Sequence, residues 1–396
     1  MNLSHTLRQA LPWTVFLCTS ASIIVALPPT PPPSTSPQPT DFQVHYIDVG
    51  SGDCIWIHTG DDGIPGNGRL EGYDILIDGG DAPMFGHVNG YETAVAYLTE
   101  DDRLPVGSTI DWMILSHAHA DHCGGLDDFL DDYEVLNILD PGANPLNSDE
   151  VSLTQVQNSV YGKFFMKAST EIVDGKKANY HWGIPDDLEI DWGEELQVQV
   201  LHSSATIVGD HLNDTSIVFS VGFTDPADGP TFLFTGDAEE DAEAEMVLEH
   251  GAALKADVLK AGHHGSKTSS TQAFLEAVQP QHVVISSGNR KFSGTRLPSE
   301  ETLTRIQQVS DSMALGTTIW RTDRDDKHPT LIPEREEAGD DGVVAWVVNG
   351  ALQIQYVDQL ASDEAFDLTR CQATTLAGTQ CKRVRPHGED FCWQHD

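Results

Sequence analysis

The stretch of this chain that most restricts its fold is ILSHAHADHCGG, at residues 114–125. It overlaps the end of a mostly apolar run, Ile110–Leu115, whose length and branched residues predict a buried strand. A strand that ends in a glycine-bounded loop places the side chains of that loop at the edge of a sheet. Imidazole nitrogens and carboxylate oxygens that converge there suit zinc, manganese or iron. The stretch therefore predicts a metal site formed by His117, His119, Asp121 and His122.

Composition limits the partners of the chain. Its 396 residues can bury one large core or two smaller ones. The 62 acidic residues outnumber the 22 basic ones, and the formal net charge is −40. Such a surface repels nucleic acid at long range and is typical of halophilic or extracytoplasmic proteins. We therefore expect no stable passive DNA binding, and a polyanionic substrate would have to be held locally by metal ions.

The N-terminal segment is typical of an exported or anchored protein. Residues 1–27 contain Arg8 and then an uncharged apolar stretch, which predicts a secretory signal peptide or a membrane anchor, with a disordered apolar tail as the alternative. Residues 28–41 form a linker rich in Pro, Ser and Thr. Together they predict an extracytoplasmic location, either secreted or membrane-anchored.

The motif HAHADH resembles the HxHxDH signature of the metallo-β-lactamase superfamily. Within that superfamily the chain is most similar to the subgroup typified by the C-terminal domain of the competence protein ComEC, whose HHGS motif resembles GHHGSK at residues 262–267. The resemblance implies an α/β fold, the four-layer αβ/βα sandwich, over residues 42–360.

The resemblance also implies two divalent cations, Zn or Mn, in an active site. The first is expected on His117, His119 and His211, with Asn213 or water as open alternatives to His211. The residues expected around the second are Asp121, His122 and His263, with Asp237 bridging the two cations.

Other residues are expected to support this site. Asp78 ends the predicted strand DILID and would orient a ligand imidazole, because such a carboxylate fixes the tautomer of the ring. His264 is expected behind the ligands or toward the substrate. Asp48 and Asp53 belong to DVGSGDC, which is similar to the DVGQGDS segment of the subgroup, and are expected to shape a turn, with a position facing the site as the alternative. The acids after Asp237 are interpreted as a solvated helix face: Glu239, Glu240, Asp241 and Glu243.

Basic residues are rare here and indicate where an anion could bind. Backbone amides near Ser266 and the ammonium of Lys267 could contact a phosphate oxygen, with helix capping as the alternative. A second basic cluster contains Arg290, Lys291 and Arg296. ComEC-type domains usually carry Gly-His-Pro next to it, whereas this chain has Leu297 before Pro298.

The C-terminal segment 370–396 has the spacing C-x9-C-x10-C-x2-H. It resembles small Cys3His zinc modules, and three thiolates with one imidazole can close a tetrahedral structural zinc site. A disulfide with an odd thiol is the alternative, and His387 is a spare ligand. The expected structural zinc ligands are Cys371, Cys381, Cys392 and His395.

These patterns predict a dinuclear metal-dependent hydrolase that uses a metal-bridged hydroxide, since the pKa of bound water falls to roughly 7. A phosphodiesterase or nuclease is favoured, acting on nucleic acid or a phosphorylated polymer. Lactam or lactone opening, or a non-catalytic scaffold or binding protein, are the alternatives. The residues expected to carry catalysis are Asp78, Asp121, His264 and Lys267.

Overall fold

A computed structural model describes residues 36–67, 70–82, 89–143, 158–184, 188, 190–208, 211–288, 291–292, 295–322, 336 and 342–357. The predicted leader, most of the linker, Arg290 and the tail 370–396 lie outside these residues, and only the backbone of Lys291 is described. The domain boundaries and the zinc site of Cys371, Cys381, Cys392 and His395 therefore stay predictions. Among the described residues, no helix has the length and hydrophobicity needed to cross a membrane.

Two large β-sheets contain most of the described strands. The first has eight strands in the order β18-β17-β1-β2-β3-β4-β5-β8, and the second has six in the order β16-β13-β12-β11-β10-β9. In chain order the strands are β1 (Phe42–Tyr46), β2 (Ile55–His58), β3 (Asp74–Ile77), β4 (Thr109–Ile114), β5 (Glu134–Asp140), β6 (Ile172–Val173), β7 (Lys176–Lys177), β8 (Asn179–Trp182), β9 (Leu196–His202), β10 (Val218–Phe223), β11 (Phe232–Phe234), β12 (Val258–Lys260), β13 (His282–Ile285), β14 (Lys291–Phe292), β15 (Thr295–Arg296), β16 (Thr318–Arg321), β17 (Gly342–Val348) and β18 (Ala351–Val357).

The α-helices of the described residues cover the outer faces of these sheets. In chain order they are α1 (Gly90–Thr99), α2 (Ala120–Cys123), α3 (Leu126–Asp132), α4 (Val160–Ala168), α5 (Glu240–His250), α6 (Gln272–Val278) and α7 (Glu300–Met313). Apolar side chains of α1, α3 and α4 form one core cluster with the first sheet. Those of α5, α6 and α7 form another with the second sheet.

A third core cluster lies between the two sheets, because alternate residues of each strand point to opposite faces. In β3, for example, Ile75 and Ile77 join the inner cluster while Leu76 packs on the helices. Phe219 and Phe234 stack within the inner cluster with ring centroids 5.1 Å apart. Burying each such ring contributes roughly 2–3 kcal/mol. The two sheets and their outer helices form a four-layer αβ/βα sandwich, which confirms the expected fold.

Parallel strand pairing brings chemically useful loops to one edge of each sheet. Strands β3, β4 and β5 are parallel in the first sheet, and β11, β12, β13 and β16 are parallel in the second. Carboxyl ends of parallel strands meet at the same edge, where ligands of open α/β sheets usually bind. The loops after β3, β4, β11 and β12 carry the residues discussed below.

Candidate metal centre

The loop after β4 supplies four of the clustered side chains. The ring of His117 is fully buried, and its Nε2 lies 2.9 Å from Nδ1 of His119. His119 directly precedes α2, and this single helical turn carries Asp121 and His122, both of them buried. The described structure thus brings together all four residues of the HAHADH motif.

Asp78, just after β3, organises this loop. Its carboxylate accepts hydrogen bonds from the backbone N–H of Ser116 at 2.7 Å, the Ser116 hydroxyl at 2.6 Å and Nδ1 of His122 at 2.7 Å. A proton held at Nδ1 leaves Nε2 of His122 available as a ligand. Burial lowers the pKa of His122, but the carboxylates of Asp237 and Asp78 outweigh burial and keep this pKa well above its usual value. The position favours positive charge.

The carboxylate of Asp237, from the second sheet, lies at the centre of the cluster. Its Oδ2 is 3.2 Å from Nε2 of His122 and 3.5 Å from Nε2 of His264. The same oxygen is 3.9 Å from Nε2 of His117 and 3.9 Å from Nε2 of His263. One carboxylate oxygen is therefore surrounded by four imidazole nitrogens, which is the arrangement expected of a bridging group.

The two histidines of GHHGSK differ in position from expectation. Nε2 of His264 lies 3.2 Å from Nε2 of His122 and 3.8 Å from Asp121 Oδ2, so His264 occupies the place expected for His263. Its Nδ1 donates to the carbonyl of Ser286 at 2.9 Å. His263 instead uses Nδ1 to contact Glu239 Oε1 at 2.7 Å. Both residues have positive φ, 44° and 51°, so one tight turn directs the two rings differently.

His211 does not join the buried cluster. Its side chain is 56% exposed, and its nearest described acid is Asp214, at 3.8 Å. The alternative residue, Asn213, is buried, and its amide nitrogen lies 3.2 Å from Nδ1 of His263. Because Nδ1 of His263 donates to Glu239, the Asn213 amide donates to the same Glu239 Oε1 at 3.2 Å and so supports His263 through that carboxylate.

A cavity of about 1000 Å³ opens beside this cluster. It is lined by His263, Ser266, Lys267 and Arg296, and by Leu297. Lys267 is exposed at the wall, while the Ser266 hydroxyl lies 2.9 Å from that of Thr268. The space next to the clustered histidines is thus lined by three cationic side chains, Lys267, Arg296 and Arg305, and by two carboxylates, Glu300 and Glu301.

A sequence model of the metallo-beta-lactamase superfamily matches residues 70–288, more than half of the chain. The chain belongs to the metallo-beta-lactamase superfamily. It is 26% identical over 278 residues to ComE operon protein 3 of Bacillus subtilis, covering 68% of this chain and 31% of that protein. It is 27% identical over 273 residues to Recombination protein 2 of Haemophilus influenzae, covering 69% and 27%. These ComEC-like relatives confirm the subgroup resemblance. The chain matches less than a third of their length.

Among solved structures, the metallo-beta-lactamase SMB-1 bound to 2-mercaptoethanesulfonate aligns with a TM-score of 0.30 and 13% identity. The alignment covers 60% of this chain and 93% of that one.

The donor set of this superfamily member fits divalent cations. Four buried carboxylates surround the histidines, and the ammonium of Lys260 is buried beside them. With neutral imidazoles, four negative charges and one positive charge give this cluster a net charge of −3. The Oδ1 atoms of Asp53 and Asp237 are buried and have no hydrogen-bond partner among the described residues. Buried charge of this kind requires compensation, and imidazole with carboxylate suits zinc or manganese. The four carboxylates are Asp53, Asp78, Asp121 and Asp237.

The interpretation of the acids after Asp237 as a solvated face is wrong for Glu239 and Glu243. Glu239 is only half-buried, yet its Oε1 accepts from His263 and from the Thr268 hydroxyl at 2.6 Å. Glu243 is buried, and its two oxygens accept from the backbone N–H groups of Ser270 and Thr271 at 2.5 and 2.7 Å. Glu239 thus holds His263 within the GHHGSK loop, and Glu243 holds the backbone that follows this loop.

Burial raises the pKa of Glu243 to about 7, against 4.5 for the free side chain. The folded protein therefore keeps a proton that the unfolded chain loses as pH rises from 4.5, so this group lowers the free energy of unfolding between about pH 4.5 and 7. This difference in pKa between the folded and unfolded chain corresponds to roughly 3 kcal/mol. Urea titrations measure the free energy of unfolding of the wild type and of Glu243→Gln at each pH. We expect the difference, wild type minus variant, to fall by roughly 3 kcal/mol between pH 5 and pH 8.

The exposed Glu240 of the same helix provides the matched control, Glu240→Gln. If the difference between wild type and Glu243→Gln does not change with pH, the buried carboxyl does not titrate in this range.

Proposed function

We propose that this superfamily hydrolase is a phosphodiesterase that works with two divalent cations and acts on nucleic acid or a phosphorylated polymer. The observation that carries the proposal is the position of Asp237 Oδ2 among four histidine nitrogens, beside a cavity with Lys267 and Arg296. One relative is named Recombination protein 2, and recombination acts on nucleic acid, which supports this substrate class.

The ligand sets follow from the contacts. His117 and His119 would hold the first cation with Asp237, and His263, whose Nε2 lies 3.9 Å from Asp237 Oδ2, is the candidate for the position expected for His211. Asp237 would be shared with the second cation, whose other ligands are Asp121, His122 and His264. When bound, such cations lower the pKa of a coordinated water and polarise a phosphoryl oxygen.

The protein's own groups fix protons and directions around this centre. Asp78 holds the proton of His122 at Nδ1, and the carbonyl of Ser286 does the same for His264. Glu239 holds His263 in the same way. In each case Nε2 is left to bind a cation, and no ring has to turn during the reaction.

Lys267 and Arg296 would hold the anionic phosphate that extends into the cavity. The formal net charge of −40 repels a polyanion from most of the surface, so these two side chains and Arg305 would supply the local attraction, next to the carboxylates of Glu300 and Glu301. Expected localisation outside the cytoplasm is part of this proposal and depends on residues 1–35, which lie outside the described chain.

Replacing Lys267 with Ala tests the substrate class. We expect kcat/KM for bis-(p-nitrophenyl) phosphate to fall by about 10- to 100-fold, because a charge-assisted contact to phosphate is lost. Hydrolysis of a neutral lactam or lactone should change less than about twofold.

The control variant is Lys255→Ala, which removes an exposed ammonium that does not line the cavity. Equal loss toward phosphodiester and lactam in Lys267→Ala would contradict the phosphodiesterase assignment.

A further inference from the structure

A buried lysine lies beneath the candidate metal centre. Lys260 is the last residue of β12 and only 1% exposed. Its ammonium donates to the carbonyl of Gly236 at 2.9 Å and forms an ion pair with Asp53 Oδ2. The third neighbour is Asp237 Oδ1, at 3.8 Å. The ammonium therefore lies among three oxygens, one from each of these residues.

Two of these three residues, Asp53 and Asp237, also belong to a group of side chains that could hold a metal ion. Oxygen atoms of Asp53 and Asp237 and a ring nitrogen of His264 lie within 4.8 Å of one another. Asp53 Oδ1 is 3.6 Å from Nδ1 of His264, so the Asp53 carboxylate lies directly behind a ligand ring. Two carboxylates and a carbonyl are the oxygen ligands that hard divalent cations prefer.

The ammonium of Lys260 fills the space between these oxygens. A buried lysine is unusual because the charged head normally reaches water, and Lys260 is charged here because Asp53 compensates it. Asp237 shares its two oxygens between the two environments, with Oδ1 toward Lys260 and Oδ2 toward the histidines.

We propose that Lys260 serves as a resident cation, which occupies a third cation position formed by Asp53, Asp237 and the Gly236 carbonyl and so limits the centre to two metal ions. The inference rests on the proposed function, because it assumes that Asp237 bridges two metals. Lys260 is a positioning residue: it holds one oxygen of Asp237 so that the other faces the histidines, and it keeps Asp53 out of the metal coordination.

Removal of the side chain tests the proposal. Lys260→Ala removes the positive charge of the ammonium and empties the space that it fills. With Mn²⁺ as the probe, we expect three bound ions per chain by mass spectrometry, against two in the wild type. Turnover of bis-(p-nitrophenyl) phosphate should fall at least tenfold, because Asp237 is drawn toward the additional ion.

Two further variants separate this role from a merely structural one. Lys260→Met removes the charge but fills the space, so it should bind two ions and turn over slowly. The double variant Asp53→Asn/Lys260→Ala removes a ligand of the third position and should return to two ions. Two ions with unchanged turnover in Lys260→Ala, or a third ion that persists in the double variant, would overturn the proposal.

Folding of the variant supplies a second measurement. If Lys260→Ala unfolds without metal, its refolding should require Mn²⁺ at concentrations that the wild type does not need, and indifference to Mn²⁺ would also overturn the proposal. A wild type that binds no divalent ion would instead refute the proposed function on which the inference rests.

Discussion

The Asp237→Asn variant is expected to hydrolyse bis-(p-nitrophenyl) phosphate roughly a thousandfold more slowly than the wild type. The side chain keeps its size, but the oxygen that lies 3.2–3.9 Å from four histidine nitrogens loses its negative charge. A neutral amide oxygen bridges cations poorly, so the metal content should fall from two ions per chain to one or none. Steady-state rates with added zinc or manganese, together with metal counts by mass spectrometry, measure both effects.

The control for this variant is Asp241→Asn, which removes an exposed carboxylate from α5. It should retain wild-type rate and metal content. If the wild type binds two ions tightly but shows no turnover, and Asp237→Asn changes neither result, the non-catalytic scaffold would be favoured over the hydrolase.

The Gly52→Ala variant is expected to lose roughly 4 kcal/mol or more of the free energy of unfolding. Gly52 has φ +87°, and a Cβ atom there would lie 1.8 Å from the backbone carbonyl oxygen of Asp121. Asp53 N–H donates to that same carbonyl at 3.3 Å, so the β1–β2 loop directly supports the metal-ligand loop. The alanine cannot be accommodated without moving Asp121, and metal affinity should fall together with stability.

Gly63→Ala is the matched control, because Gly63 also has positive φ, +74°, and nothing lies within 4 Å of its would-be Cβ. It should cost only about 1–2 kcal/mol. Urea unfolding of both variants at one pH gives the comparison. Equal losses in the two variants would show that backbone strain alone, and not contact with Asp121, makes glycine necessary at position 52.

Much of this centre could be predicted from sequence because its ligands are close together along the chain. HAHADH follows a strand of branched residues, and GHHGSK follows another, so the strand ends alone indicate where the side chains gather. The four-layer architecture followed from the superfamily resemblance. The structure confirms this fold and brings the two motifs into contact.

The choice between His263 and His264 could not be predicted from periodicity. Both residues lie in one turn with positive φ, and the direction of each ring depends on distant partners, Glu239 and Ser286. Such contacts across the fold leave no local pattern in the sequence.

Two missed residues did leave a signal. Glu243 precedes Met246 by three positions, so the two residues share the apolar face of α5, and this spacing predicts a buried position for Glu243. Lys260 is a charge within the buried run ADVLKAG, which is rare unless the charge has a partner.

The candidate ligands come from both halves of the sandwich: His117, His119, Asp121 and His122 follow a strand of the eight-stranded sheet, and Asp237, His263 and His264 follow strands of the six-stranded sheet. Metal ions bound between them would therefore crosslink the two sheets at one end. Chelation should then loosen sheet-to-sheet docking before either sheet melts, and the melting temperature would report the free zinc or manganese concentration around the protein.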